Sequence, residues 1–181
     1  LLVELDADPA VMRFVTGGAP TSADRVTAWV IPRMQLQYQQ YGAGMWIAFT
    51  RTPEPDFAGW VQLRRPRHSA LDELELSYRF RRAMWGRGLA TEAATAVIGA
   101  LFADYPVERI FASTHVAHAA SRQVLTRLGM RLAADADARI LTDPDVDVEY
   151  EILRANWLAG RGRHAAGRTR TTAVRTGWMT A

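Results

Sequence analysis

At 181 residues, with 49% hydrophobic and 23% charged side chains, the chain has the length and balance of one globular domain around a single core, with no room for a second catalytic domain. Its formal charge of +3 hides a division, because Arg154, Arg161, Arg163, Arg168, Arg170 and Arg175 follow the last acid, Glu151, and leave 16 arginines against 19 acids in the body. A body near −3 has no general field for steering RNA or DNA, which argues against a nucleic-acid partner. Cysteine and lysine are both absent, which excludes disulfides, thiolate nucleophiles, Cys-based zinc, a Walker-type phosphate loop and Schiff-base chemistry.

No apolar run approaches the roughly 20 residues of a membrane span, and the start lacks the plan of a secretory signal, so a cytoplasmic location is expected. The chain begins with Leu and opens in a helix-like stretch, as if the true N-terminus were missing. Asp8-Pro9 predicts the cap and first turn of a short helix that Gly17-Gly18 closes. Thr21 or Ser22 then caps a helix from about Ala23 to Tyr41, ended by Gly42 and Gly44, which Pro32 should bend or divide. Strands are predicted at Met45–Arg51, Phe57–Arg64 and Glu73–Phe80, close enough for an antiparallel meander. From Gly86 the period changes, with Leu89, Ala93, Val97 and Leu101 on one helical face up to Tyr105-Pro106. A strand Arg109–Thr114, a helix Ala119–Leu128 closed by Gly129, a stretch Met130–Ala134, an acidic loop around Thr142–Asp145 and a strand Val146–Leu153 follow. The fold class is therefore α+β, or mixed α/β, around one sheet. Residues 1–157 form the domain, and 158–181 form an Arg-rich tail too poor in apolar residues to order, which predicts disorder.

The segment richest in chemistry is Tyr78-Arg-Phe-Arg-Arg-Ala-Met-Trp-Gly86-Arg87-Gly88-Leu-Ala-Thr-Glu92-Ala93. A strand runs into two glycines and then a helix, so unpaired N–H groups and the positive end of the helix dipole converge on a spot suited to an anion such as phosphate. The plain alternative is that Gly86 and Gly88 only make a tight turn. A Rossmann fingerprint fits less well, because Thr91 replaces its third glycine and Glu108 precedes the next strand instead of ending it. His115 and His118 have an H-x-x-H spacing but no third ligand of the right type nearby, so no metal site is expected. Trp46, Trp60 and Trp85 are expected as core or pocket walls.

Trp85-Gly-Arg-Gly-Leu-Ala-Thr-Glu-Ala93 resembles the acetyl-CoA pyrophosphate loop of GNAT N-acetyltransferases, in the form seen in the RimJ/RimL-like branch. His118-Ala-Ala-Ser121-Arg-Gln-Val-Leu-Thr-Arg-Leu-Gly129-Met is similar to the family's second signature, and Asp8-Pro-Ala-Val-Met-Arg-Phe and Asp147 to Trp157 also fit, in order and correctly spaced. The resemblance implies a mostly antiparallel central sheet flanked by helices, from which the usual first strand is missing here. The first remaining strand would then have an exposed edge along which the protein could dimerise.

What the resemblance implies for single residues is as follows. Backbone groups of Trp85, Gly86, Arg87, Gly88, Leu89, Ala90 and Thr91 hold the pyrophosphate. The strand Ser77, Tyr78, Arg79 and Phe80 pairs with the pantetheine arm as it would with another strand. Arg81, Arg82, Arg87 and Arg122 meet phosphates, unless they are solvated surface arginines. Ser121 protonates the leaving thiolate in place of the Tyr that many members carry where Leu125 stands here, unless it only caps its helix. His118 replaces the usual Asn on the pantetheine. Glu75 is the candidate base, unless its face of the strand is simply exposed to solvent.

The implied function is direct transfer of acetyl from acetyl-CoA, as co-substrate and without a metal, to an amine that is a protein N-terminus or a small molecule. The other class that fits is a non-catalytic module that senses acyl-CoA.

Overall fold

The computed structural model describes residues 1–66, 72–133, 146–164 and 174–178. Helix α1 (Leu2–Asp6) leads into α2 (Pro9–Thr16), where the Asp8 carboxylate accepts from the Ala10 N–H at 2.9 Å and Gly17 closes the helix in the left-handed conformation. Ser22 caps the short α3 (Ala23–Arg25) by accepting from the Arg25 N–H. A five-residue π-helical turn, Val26–Val30, then leads into α4 (Ile31–Tyr41). The division expected at Pro32 is thus a change of hydrogen-bond register: the Ile31 N–H reaches back to the Val26 carbonyl, and Pro32 has no N–H with which to resume the α ladder. Gly42, at φ 63°, ends α4 against the Tyr105 ring, whose atoms lie 2.1 Å from where a Cβ would sit. Only glycine satisfies both constraints.

Strands β1 (Met45–Thr50), β2 (Phe57–Arg64) and β3 (Glu73–Phe80) form the predicted meander. Helix α5 (Leu89–Asp104), β4 (Arg109–His115), α6 (Ala119–Arg127), β5 (Arg131–Leu132) and β6 (Asp147–Leu153) follow, each within two residues of its predicted bounds where both ends are described. With a last strand, β7 (Val174–Trp178), the sheet order is β5-β6-β4-β3-β2-β1-β7, antiparallel except at the β3–β4 pair. The acidic loop expected around Thr142–Asp145 lies outside the described residues, as does Ala134.

Alternation along β3 divides the sheet's two faces. Leu74, Leu76 and Phe80 are buried in the larger core, which also contains Ala93, Val97, Ile98, Leu101 and Phe102 of α5. Glu73, Glu75, Ser77 and Arg79 point the other way, the side on which α1 and α4 cover a smaller core of Leu5, Met45, Ile47, Phe57 and Trp60.

Two features depart from the sequence expectation. Helix α7 (Arg154–His164) continues directly from β6, and β7 (Val174–Trp178) pairs antiparallel with β1 from Trp46↔Trp178 to Thr50↔Val174, so parts of the stretch expected to be disordered carry regular backbone structure. The edge of β1 expected to be exposed is therefore paired. Among the described residues, no helix is long and apolar enough to cross a membrane.

Candidate active site

The parallel strands β3 and β4 pair only at Glu73↔Arg109, Leu74↔Ile110 and Glu75↔Phe111. Beyond Glu75 they part, while β3 stays paired to β2 as far as Gly59↔Phe80 and β4 to β6 as far as His115↔Asp147. The facing edges of Leu76–Phe80 and Ala112–His115 therefore border a wedge-shaped gap. Backbone groups along such an edge need partners, which an extended ligand can supply. Ser77, Tyr78, Arg79 and Phe80, expected to pair with a pantetheine arm, line one side of it.

At the open end of the gap, β3 runs through a single 3₁₀ turn (Arg82–Met84) into the glycine turn. Gly86 and Gly88 have φ of 72° and 78°, and a Cβ at either would meet no heavy atom within 4 Å, so it is the backbone conformation, not crowding, that calls for glycine there. No side chain caps α5, leaving the N–H groups of its first turn directed outward. The Thr91 hydroxyl in that turn is buried and lacks a hydrogen-bond partner among the described residues. An uncapped helix start with an orphaned hydroxyl fits an anionic ligand.

Of the two places expected for Trp85, core or pocket wall, the core is excluded. Trp85 is 49% exposed rather than buried, and its indole N–H donates to the Phe80 carbonyl at 2.8 Å, tying the loop to the last residue of β3. Trp46 and Trp60 are buried as expected. Each of the four candidate phosphate-binding arginines has a partner within the protein. Arg81 pairs with Asp56 at 2.9 Å, Arg82 with Asp8 at 3.3 Å, and Arg87 donates to Met84 Sδ at 3.1 Å. Arg122 donates to Tyr150 Oη at 3.2 Å and the Val116 carbonyl at 3.1 Å, holding α6 against the sheet.

Across the gap from β3, His118 caps α6: its Nδ1 accepts from the Ser121 N–H at 3.4 Å. With that N–H capped by His118, the Ser121 side chain is not the cap of α6. Ser121 Oγ instead lies 3.0 Å from Tyr78 Oη, which is also 3.2 Å from the Ser121 carbonyl oxygen. Burial pushes the Tyr78 phenol up to about 12, although the Ser121 contact acts in the opposite sense. Leu125, at the position of the family's usual tyrosine, is fully buried core.

Glu75 stands on the other face, at the last paired register before the strands part, with its carboxylate 2.6 Å from Arg64. The candidate acid and base thus lie on opposite sides of the sheet. Beside Glu75, Arg109 gathers Glu73 at 2.8 Å, Glu151 at 2.7 Å and Glu149, which links β3, β4 and β6 at the root of the gap.

Helices α1 and α2 straddle the mouth on this face. Asp6 and Asp8 pair with Arg79 and Arg82 on the β3 side, while Phe14 stacks on His118 at 4.3 Å and tilts against His115 at 5.4 Å on the β4 side. Burial first, then His115 and Arg13, holds the His118 imidazole below its ordinary 6.5. A lowered folded-state value means that the stability His118 contributes is complete above 6.5 and is lost as the pH falls through the folded value, because the unfolded chain takes up the proton first. His118→Asn, whose amide oxygen can replace Nδ1 as the capping acceptor, is expected to flatten the decline of the urea midpoint below pH 6.5. An unchanged slope would assign that decline to other groups. His115 and His118 join no cluster of three or more metal-ligand side chains among the described residues.

Comparison with known proteins agrees with this geometry. The family model described as "Acetyltransferase (GNAT) domain" matches residues 1–131. The chain is 28% identical over 169 residues to the FsC-acetyl coenzyme A-N(2)-transacetylase of Aspergillus fumigatus, covering 86% of this chain and 69% of that protein. Among solved structures, the aminoglycoside acetyltransferase AAC(6')-Ib in complex with coenzyme A superposes with a TM-score of 0.65 at 17% identity, over 88% of this chain and 91% of that one. The ribosomal-protein-S5-alanine acetyltransferase of Vibrio fischeri does so with a TM-score of 0.63 at 15% identity, over 86% and 89%. At these identities the structural likenesses speak for the fold, and the family match carries the rest: the chain belongs to the GNAT acetyltransferase family, as an acetyl-CoA-dependent N-acetyltransferase.

Proposed function

We propose that this chain is a RimJ/RimL-like cytoplasmic enzyme that acetylates a primary amine, on a protein N-terminus or a small molecule, by direct transfer within the gap between β3 and β4. The observation that carries this reading is the gap itself, with the glycine turn at its open end, Ser121 on one face and Glu75 on the other. The fit to acetyl-CoA rests on the uncapped start of α5, the orphaned Thr91 hydroxyl and the β3 edge that has no β4 partner beyond Glu75. The acceptor side carries Glu73, Glu75, Glu149 and Glu151 against Arg64 and Arg109, a negative surplus that favours approach of a cationic amine.

An amine arrives as an ammonium and must lose a proton before its nitrogen can attack, whereas a thiol titrates near about 8.5, so proton removal is the harder task. In this reading Glu75 starts that removal from the acceptor face, a backbone N–H of the Ser77–Phe80 strand stabilises charge on the thioester oxygen, and Ser121 donates to the departing sulfur. Without cysteine an acyl-enzyme would be unusual, which favours direct transfer. Incubating the protein with acetyl-CoA and a panel of small amines and N-terminal peptides, and following free thiol, is expected to give release that depends on the acceptor and falls in Glu75→Gln. Tight binding of CoA with no release for any acceptor would replace this reading by the acyl-CoA sensor.

A further inference from the structure

Ser121 and Tyr78 are 43 residues apart in sequence and meet across the gap, hydroxyl to hydroxyl, at 3.0 Å. The phenol is also within 3.2 Å of the Ser121 carbonyl oxygen, so it has two acceptors for its one proton. If that proton goes to the carbonyl, the Ser121 hydroxyl is left to donate to Tyr78 Oη and has nothing to offer a ligand. If it goes to Ser121 Oγ, the serine proton is turned away from Tyr78. Rotation of two O–H bonds separates the arrangements, and no heavy atom need move.

We propose that Tyr78 is a positioning residue for the transfer reaction: by donating its hydroxyl proton to Ser121 Oγ it directs the Ser121 proton toward the leaving sulfur. This inference rests on the reading of Ser121 as the donor to that sulfur. In the transfer, the amine nitrogen forms its bond to the acetyl carbon, the carbon–sulfur bond breaks with its electron pair on sulfur, nitrogen gives up one proton and sulfur gains one. Tyr78 exchanges no net proton in this balance.

Three observations support the assignment. The ring packs against the main core from β3, and the hydroxyl oxygen lies within hydrogen-bond reach of two Ser121 atoms, so it is held at Ser121. Burial keeps the phenol protonated well above neutral pH, so its donor is present throughout any working range. The same fact removes Tyr78 as the base for the amine, because a base needs to titrate near the working pH.

The test compares wild type, Tyr78→Phe, Ser121→Ala and the double variant in acceptor-dependent thiol release. Tyr78→Phe keeps the ring and is expected to lower kcat about tenfold, the scale of one lost hydrogen bond, with the KM for acetyl-CoA unchanged. In the Ser121→Ala background the same substitution is expected to have no further effect, because its target is gone. An equal fall in both backgrounds, or a rise in KM with kcat unchanged, would overturn the positioning role. So would the absence of any fall in Tyr78→Phe while Ser121→Ala is impaired, an outcome that leaves Ser121 as the donor. Full activity in Ser121→Ala would overturn the reading of Ser121 and the inference with it.

Discussion

Ser121→Ala is expected to lower kcat for acetyl transfer about 100-fold while the KM for acetyl-CoA stays within about twofold, because the lost hydroxyl acts on charge that develops only as the carbon–sulfur bond breaks. The substitution should be well tolerated. The Ser121 N–H that His118 caps is a backbone group and remains, and alanine favours the helix in which it would stand. The cost falls on Tyr78, whose hydroxyl keeps only the Ser121 carbonyl as acceptor. Steady-state kinetics with saturating acceptor separates the outcomes. A rise in KM at constant kcat would move Ser121 from the reacting centre to ground-state binding.

Gly59→Ala is expected to be the most damaging single-methyl change in the sheet. A Cβ there would lie 2.3 Å from the Arg79 carbonyl oxygen and 2.7 Å from the Phe80 Cα, contacts with backbone that no rotamer change can relieve. Either β2 and β3 separate at Gly59↔Phe80 or the fold does not form. We expect a loss of about 3 kcal/mol and a fall in Tm of about 10 °C, the scale of severe overpacking in a domain of this size. Because the Phe80 carbonyl also receives the Trp85 indole, the same shift should loosen the glycine turn and raise the KM for acetyl-CoA. A thermal melt within about 2 °C of wild type would show that the strands give way without cost.

The parts of the fold legible in the sequence are those set by local chemistry. Capping at Asp8 and Ser22, the change of period at Leu89, and glycines needed at positive φ each announce themselves within a few residues. The glycine turn was legible for the same reason. What escaped depends on register between distant strands. Nothing near Tyr78 indicates that its hydroxyl meets Ser121, since that contact requires β3 and β4 to part at one particular residue. The partners of Arg81, Arg82 and Arg122 are not legible in the sequence either, because Asp56, Asp8, Tyr150 and Val116 lie in other elements. The cluster around Arg109 is likewise invisible until β6 is placed beside β4. Sparse apolar residues after Trp157 pointed to disorder, whereas α7 and β7 draw backbone hydrogen bonds from their own helix and from β1, which composition does not report.

The measurement that bears most directly on the central claim, that the glycine turn and the gap hold acetyl-CoA for transfer, is a calorimetric titration of acetyl-CoA into wild type and Gly88→Trp. Both proteins are first matched for folding by circular dichroism. Gly88 is exposed, with open space at its Cβ position, so an indole there would stand over the uncapped N–H groups of α5. Binding by wild type that weakens at least about tenfold in the folded variant is the predicted result. Equal affinity in the two proteins would place acetyl-CoA somewhere other than this turn and contradict the account.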